Sequence, residues 1–480
     1  MNVTFLIPPC FDHVQPPERS AGCTRVVYPM PNIYELTVAA ELENIPEVNV
    51  KYIDFVFFKK KQSDFENFLL HDNSDIYIFW TVNLSIESDK TAIAIIRKYH
   101  PTTTILLLGP GATYYTTKCI TDSNTLVVRG EPDETTVELV NCLKNDTDIS
   151  SIKGISYLNS NGEIINNPSR PLIKDLDSLP FPARHLIGDR KYHNAKLKVG
   201  PYTTMFTSRN CPFKCIFCVP SSLSFAREIE FRKNHNRKPT IGFRSISSIE
   251  NEITEIYQQG YRAIGFMDDN FIWNEERTRG ICNILKRFDI VWGCQARVDA
   301  ITEPIAQMLS QSGCQYVDLG IESFDKRILE YIKKGITCDD IYRAINLLKR
   351  YKVPVKLNVL IGSSPFETKE TIKETLKKAK ELDVDQVMFN IVSPFPGTEY
   401  YEICKENGWI RGGDYVPTDV QRESILDLPH ISAKDMEKLL YRNNISFFLS
   451  WRFFSKQIKR FSSWQEFAFA LKALKIKLFG

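Results

Sequence analysis

The run Ser208-Arg209-Asn210-Cys211-Pro212-Phe213-Lys214-Cys215-Ile216-Phe217-Cys218 follows directly on a strand-like segment, Tyr202 to Thr207, and spaces its cysteines as C-x3-C-x2-C. A loop carrying three closely spaced thiolates can bind three irons of a cubane cluster and leave the fourth iron without a local protein ligand, open to a substrate. The competing reading is zinc, which in a structural site takes four protein ligands, often as paired Cys or His. No second such pair is present, and His235 or Cys294 would have to complete the tetrahedron. The other cysteines, among them Cys282, Cys294 and Cys314, lie in apolar or helical surroundings and read as small core residues.

Downstream of this loop, strand-like segments recur at Ala263 to Met267, Val291 to Ala296, Tyr316 to Ile321, Val355 to Ile361 and Gln386 to Val392. Helical patterns separate most of them, notably Ile246 to Gln258, Asp339 to Arg350 and Lys369 to Leu382. With Tyr202 to Thr207 this makes six strand-and-helix units over residues 201–400. Six is fewer than the eight of a closed barrel, so the spacing predicts an open, partial (β/α)6 TIM-like barrel with its chemistry at the carboxyl mouth.

Upstream, short apolar runs near residues 3–7, 49–55, 76–80, 104–109 and 125–128 alternate with helical patterns at 33–43, 87–98 and 134–144. That order predicts a doubly wound, Rossmann-like α/β domain over residues 1–145. Such folds bind ligands beyond the carboxyl ends of their strands. Those ends carry Thr81-Val82-Asn83, Gly109-Pro110-Gly111-Ala112-Thr113 and Gly130-Glu131. Residues 146–200 break the rhythm with a hairpin pattern around Asn161-Gly162 and the strap Leu179-Pro180-Phe181-Pro182, and read as a connector.

Composition bounds the remaining classes. The chain has 480 residues, 43% hydrophobic and 25% charged, close to globular averages. A net charge of +3 on 61 basic and 58 acidic residues gives no footprint for nucleic acid. The start MNVTFLIPPC lacks a secretory pattern, and no apolar run reaches the roughly 18 residues of a spanning helix. A reducing, cytoplasmic setting is expected. Residues 401–480 look helical. Over 441–480 eight Lys or Arg face one Glu, among eleven aromatics, with Phe447, Trp451, Phe454, Ile458 and Phe461 at helical steps and Arg452, Lys456 and Lys459 on another face. This is either a helix docked on the barrel or an interfacial helix giving peripheral contact with an anionic membrane.

The cysteine spacing, with Phe217 before the last Cys, resembles the radical S-adenosylmethionine (SAM) superfamily. Further segments resemble its subgroup with an N-terminal cobalamin-binding domain: Phe266-Met267-Asp268-Asp269-Asn270-Phe271, Ala296-Arg297-Val298-Asp299, Gly320-Ile321-Glu322-Ser323 followed by Lys334-Gly335-Ile336-Thr337, and Pro394-Phe395-Pro396-Gly397-Thr398. The resemblance spans roughly residues 1–400. It implies that Cys211, Cys215 and Cys218 hold a 4Fe-4S cluster whose open iron chelates SAM, and that reductive cleavage of SAM yields a 5'-deoxyadenosyl radical. Asp268 and Asp269 then approach the methionine amine, where carboxylate oxygens suit an ammonium, and Arg297, Glu322 and Ser323 contact SAM. A reduced flavodoxin or ferredoxin would supply the electron.

The same resemblance makes the strand-end loops a cobalamin site. Gly109, Gly111, Ala112 and Thr113 form a turn where backbone can approach a ligand, and Arg129-Gly130-Glu131-Pro132-Asp133-Glu134-Thr135 matches a recurring segment of these domains. The D-x-H-x-x-G pattern that brings histidine to cobalt is absent, and His13 is a poor substitute. Base-off cobalamin facing Trp80, Thr81 and Asn83 is therefore expected, although Trp80 fits simple core packing equally. The activity implied is methylation of an unactivated carbon, or phosphorus, centre of a small-molecule substrate. Cobalamin-dependent cyclisation or rearrangement, as in anaerobic porphyrin cyclases and hopanoid-modifying proteins, is the alternative; a non-catalytic cluster and cobalamin sensor is the third.

Overall fold

The structure is a computed structural model that describes residues 1–11, 15–26, 29–188, 190–194 and 196–448. His13 and the aromatic and basic stripes beyond residue 448 lie outside the described residues. The chain divides into two compact units. One comprises Met1–Pro212, Val219–Gln295 and Gln311–Gln315, the other Phe213–Cys218, Ala296–Ser310 and the chain from Tyr316 onward.

The first unit contains a seven-stranded sheet built from β1 (Asn2–Ile7), β2 (Asn49–Asp54), β3 (Ile76–Trp80), β4 (Thr104–Leu108), β5 (Thr125–Val128), β6 (Ile155–Leu158) and β7 (Ile164–Asn166), in the order β2-β1-β3-β4-β5-β6-β7. Strands β1 to β5 pair in parallel, and the order 2-1-3-4-5 is that of a doubly wound fold. The apolar runs of β3 and β5 are buried along their whole length, as expected where helices cover both faces. The predicted helices form at Ile33–Glu43, Ile86–Tyr99 and Asp133–Lys144. One difference concerns the hairpin expected in the connector. It forms, but as β6 and β7 pairing antiparallel onto β5, so it extends the sheet.

The six strands expected after residue 200 are all present. In the first unit, β8 (Tyr202–Met205) pairs in parallel with β11 (Ala263–Phe266), and β11 with β12 (Val291–Ala296); between them in sequence, β9 (Ser208–Arg209) and β10 (Gly242–Phe243) form a short antiparallel pair. In the second unit, the part of β13 (Cys314–Glu322) from Val317 onward pairs in parallel with β14 (Val355–Ile361), and β14 with β15 (Gln386–Ile391).

Over the described residues from 401 to 448 helix is confined to two segments. Helices run over Glu399–Glu406 and Ala433–Phe448, whereas between them the described chain is irregular, tied by isolated bridges Ile410↔Leu426 and Leu428↔Ile431. Gly408, Gly412 and Gly413 take left-handed backbone angles there, which ends helical propagation.

Candidate functional site: the cysteine loop and the strand-end loops

The cysteine loop begins where β9 ends, and its entry is held by buried charge within the first unit. The Arg209 guanidinium donates to both Asp133 oxygens at 3.0 and 3.1 Å and to Glu131 Oε1 at 2.5 Å. Arg227, on the helix Ser222–His235, lies 3.0 Å from the same Glu131 oxygen and donates through Nη1 to the Asn210 side-chain oxygen. Asn210 itself sits at φ +74°, with its N–H donating to Ser224 Oγ at 3.0 Å. Asn tolerates this left-handed angle better than a branched residue would, so the chain turns sharply just before Cys211. Burial works against the Arg209 charge, but Asp133 and Glu131 outweigh it and raise its pKa.

In the second unit the segment Phe213–Cys218 is pinned at its middle. Ile216 N–H donates to Ile332 C=O at 3.2 Å, Tyr400 N–H donates to Ile216 C=O at 3.0 Å, and Cys218 N–H closes a turn on Cys215 C=O at 3.3 Å. The Arg297 guanidinium lies 3.7 Å from the centroid of the Phe213 ring, a cation–π contact. Its remaining donors go to Asp299, at 2.9 and 3.0 Å, and to Lys334 C=O at 2.8 Å. Lys334 Nζ bonds Glu322 Oε1 at 2.8 Å, both side chains being buried. Ser323 Oγ lies 3.2 Å from Thr375 Oγ1 and accepts Asp325 N–H. Arg297, Glu322 and Ser323, expected as SAM contacts, are thus each engaged with protein partners.

The three loop cysteines are part-exposed, while Cys119, Cys282, Cys294, Cys314 and Cys404 are buried, and burial pushes the Cys119, Cys282 and Cys404 thiols up to about 12. A buried thiol held neutral is a poor metal ligand, since the thiolate is the binding form. The donor set of the loop, three thiols on part-exposed residues, therefore suits a cluster. Its geometry is not a closed cage: among the described residues no three Cys, His, Asp or Glu side chains converge at metal-ligand spacing. Nor is the zinc alternative assembled, for Cys294 is fully buried in β12 and the His235 ring packs 4.2 Å from that of Phe231.

The two carboxylates after β11 have different roles. Asp268 accepts from Thr207 N–H and Oγ1 and from Ser208 Oγ, at 2.5 to 3.2 Å, which commits both its oxygens to fastening the end of β8. Asp269 accepts Ser221 N–H through Oδ1 at 2.7 Å, while its buried Oδ2 has no hydrogen-bond partner in the protein. Burial raises the pKa of both. Of the pair, Asp269 retains an oxygen for an ammonium.

The strand-end loops of the first sheet are brought together at one edge. Gly111 N–H donates to Thr81 C=O at 2.9 Å, and Thr113 Oγ1 donates to Gly109 C=O and accepts Gly130 N–H at 3.1 Å. Asn83 and Ala112 are buried in the same loops. The glycines are required by backbone crowding within the protein. A Cβ on Gly109, which sits at φ +93°, would lie 2.7 Å from Thr81 O, and one on Gly111 would lie 2.7 Å from the Val82 carbonyl carbon. Trp80 is fully buried, its Nε1 donating to Ser222 Oγ at 2.9 Å and its ring stacked 5.7 Å from Tyr34. Glu131 faces Arg209 and Arg227. What remains for a ligand is Thr81 Oγ1, a buried hydroxyl without a protein partner, and this fits a polar cofactor edge such as cobalamin offers.

Sequence reasoning gave Arg209, Phe213 and Lys334 no role of their own and did not single out Arg227. Three of these lie in or within a few residues of recognised motifs, yet only their long-range partners reveal their roles.

Comparison with known proteins bears on the same residues. The family model of the radical SAM superfamily matches residues 205–379. The chain is 31% identical over 414 residues to an uncharacterized methyltransferase of Pyrococcus horikoshii, covering 84% of this chain and 85% of that one. It is 22% identical to the cytidylyl-2-hydroxyethylphosphonate methyltransferase of Streptomyces wedmorensis, over 71% of this chain and 68% of the relative. With the anaerobic magnesium-protoporphyrin IX monomethyl ester cyclase of Rubrivivax gelatinosus it shares 23% identity, over 73% and 63%. Its fold is similar to the cobalamin-dependent radical enzyme OxsB, with a TM-score of 0.70 at 14% identity covering 100% of this chain and 71% of the other. It is also similar to the methyltransferase TsrM of Kitasatospora setae, solved with cobalamin and a [4Fe-4S] cluster, with a TM-score of 0.64 at 15% identity covering 85% and 75%. On the cysteine loop, the two parallel strand arrays and the extent of identity to the Pyrococcus protein, the chain belongs to the radical SAM superfamily.

Proposed function

We propose that this chain is a cobalamin-dependent radical SAM methyltransferase acting on an unactivated carbon or phosphorus centre of a small molecule. The observation that carries the reading is its identity to a methyltransferase over 85% of that relative's length, with the cysteine loop inside the matched region. A bound cluster would supply the electron that cleaves SAM. Cys211, Cys215 and Cys218 would hold it, and the spare Oδ2 of Asp269 would accept the methionine ammonium, with Asp268 positioning the loop beside it. Arg297 holds Phe213, and through it the cysteine loop. At the edge of the first sheet, Thr81 would hydrogen-bond cobalamin, with Trp80, Gly109, Gly111 and Gly130 shaping the loops that receive it.

The porphyrin cyclase relative supports a second reading, radical cyclisation or rearrangement without methyl transfer. Anaerobic reconstitution with iron, sulfide and cobalamin, followed by ultraviolet-visible spectroscopy and mass spectrometry of SAM products, decides between them. S-adenosylhomocysteine together with 5'-deoxyadenosine is the outcome expected for methylation. 5'-Deoxyadenosine alone would favour the second reading, and a protein that binds zinc and leaves SAM intact would end both. A reduced flavodoxin or ferredoxin type donor and peripheral membrane contact through the C-terminus belong to this proposal as partners, the first tested by substituting each donor for dithionite.

A further inference from the structure

Within the second unit, segment 332–335 holds the stretch Phe213–Ile216 of the cysteine loop. Ile332 C=O takes the N–H of Ile216, and Lys334 C=O takes Arg297, which covers Phe213. The Lys334 side chain has a different task. Lys334 is 8% exposed and its ammonium is bonded to Glu322, itself 7% exposed. Space for this pair is made by Gly320, where a Cβ would stand 2.5 Å from Glu322 Oε1 and 2.8 Å from Lys334 Nζ. Glu322 holds φ +60° at a register shift between β13 and β14, which turns its carboxylate out of the strand repeat. Burial disfavours the lysine charge, but the Glu322 carboxylate bonded to it outweighs burial and raises its pKa. A buried ion pair is weak evidence for stability alone. Two opposite charges have been taken out of water in the segment that holds the cysteine loop, and neither is used in the chemistry described above.

We infer that Lys334 and Glu322 are charge-setting residues for the cluster, the buried ammonium in the segment that grips Phe213 and Ile216 favouring the added electron and the Glu322 carboxylate opposing it. This rests on the cluster assignment of the preceding section. Reduction potentials of iron–sulfur clusters respond to net charge and burial around the sulfurs. One charge several ångströms away, in a medium of effective dielectric about 20, changes a reduced-to-oxidised ratio by on the order of tenfold or more.

The test is an anaerobic redox titration of the reconstituted full chain, with dithionite as the one-electron reductant and electron paramagnetic resonance as the readout. Lys334→Gln is expected to lower the ratio of reduced to oxidised cluster at a fixed potential by about tenfold or more. Glu322→Gln should move it in the opposite direction, and Lys334→Arg, which keeps the charge, should stay near the parent. Opposite signs are the signature, because a residue that only supports packing would cost iron content or shift both variants the same way. Unchanged midpoints, or shifts of one sign, overturn the inference. Should Lys334→Gln lose its iron, Glu322→Gln and Lys334→Arg still decide it: a lowered or unchanged ratio in the former, or a marked shift in the latter, refutes it. A parent chain that forms no cluster would instead bring down the cluster assignment itself.

Discussion

Replacing Glu131 by alanine should destabilise the fold while leaving ligand contacts largely untouched, the reverse of what its place in a strand-end motif suggests. The carboxylate accepts from Arg209 at 2.5 Å, lies 3.0 Å from Arg227 Nε and accepts Ile173 N–H at 2.7 Å. In Glu131→Ala, Arg209 keeps both Asp133 oxygens, but Arg227 is left buried with Asn210 as its polar contact. Stranding a buried charge in this way costs about 3–5 kcal/mol. The unsatisfied Ile173 N–H adds about 1 kcal/mol. Glu131→Gln keeps an acceptor oxygen and should lose less. Urea unfolding of the apo-protein, followed by tryptophan fluorescence, measures both, and pairing Glu131→Ala with Arg227→Met should recover part of the loss by removing the stranded cation. A Glu131→Ala protein within about 1 kcal/mol of the parent, yet with weakened cobalamin binding, would refute this reasoning and return Glu131 to the ligand.

Further tests follow from neighbouring carboxylates and glycines. Glu367 is buried while accepting the N–H groups of Gly362 and Ser363, and burial raises its pKa from 4.5 to about 7. A raised carboxyl contributes stability that is complete below the unfolded value and lost as pH climbs through the folded one, so on the order of 3 kcal/mol should disappear between about pH 4.5 and 7; a Glu367→Gln stability profile that keeps the parent's slope would count against this. Glu252 behaves oppositely: burial pushes it up, but Arg184 and Arg244 outweigh burial and hold it below the usual range. Glu252→Ala strands two buried guanidinium groups and should cost about 3–5 kcal/mol, read from the urea midpoint. Gly111→Ala forces a Cβ against the Val82 backbone and should cost about 1–3 kcal/mol even without cobalamin, measured by thermal unfolding of the apo-protein.

The parallel strands were legible because their signal is local: β3 and β5 are unbroken apolar runs, and helices such as Cys338–Arg350 carry a strong apolar stripe. The helix Ser222–His235 escaped notice for the opposite reason. It buries every residue from Ser222 to Glu230, with Arg227, Glu228 and Glu230 among apolar Leu223, Phe225 and Ile229 and paired with Glu131, Lys238 and Arg129, so burial runs all round the helix and no one-sided apolar stripe shows. The cysteines could be read from spacing alone. The partners of Asp268, Glu131 and Glu322 lie tens of residues or more away, except for Lys334, and no short motif encodes whether a carboxylate meets a ligand or an internal cation.

The borders of the seven-stranded sheet carry a consequence for solution behaviour. An unsatisfied row of backbone donors and acceptors on a border strand invites a foreign strand to add on. On one side the last strand is β7, only three residues long and ending in an exposed Asn. On the other is β2, where Asn49 and Lys51 are exposed. A truncated border and a charged one both discourage templated association through this sheet.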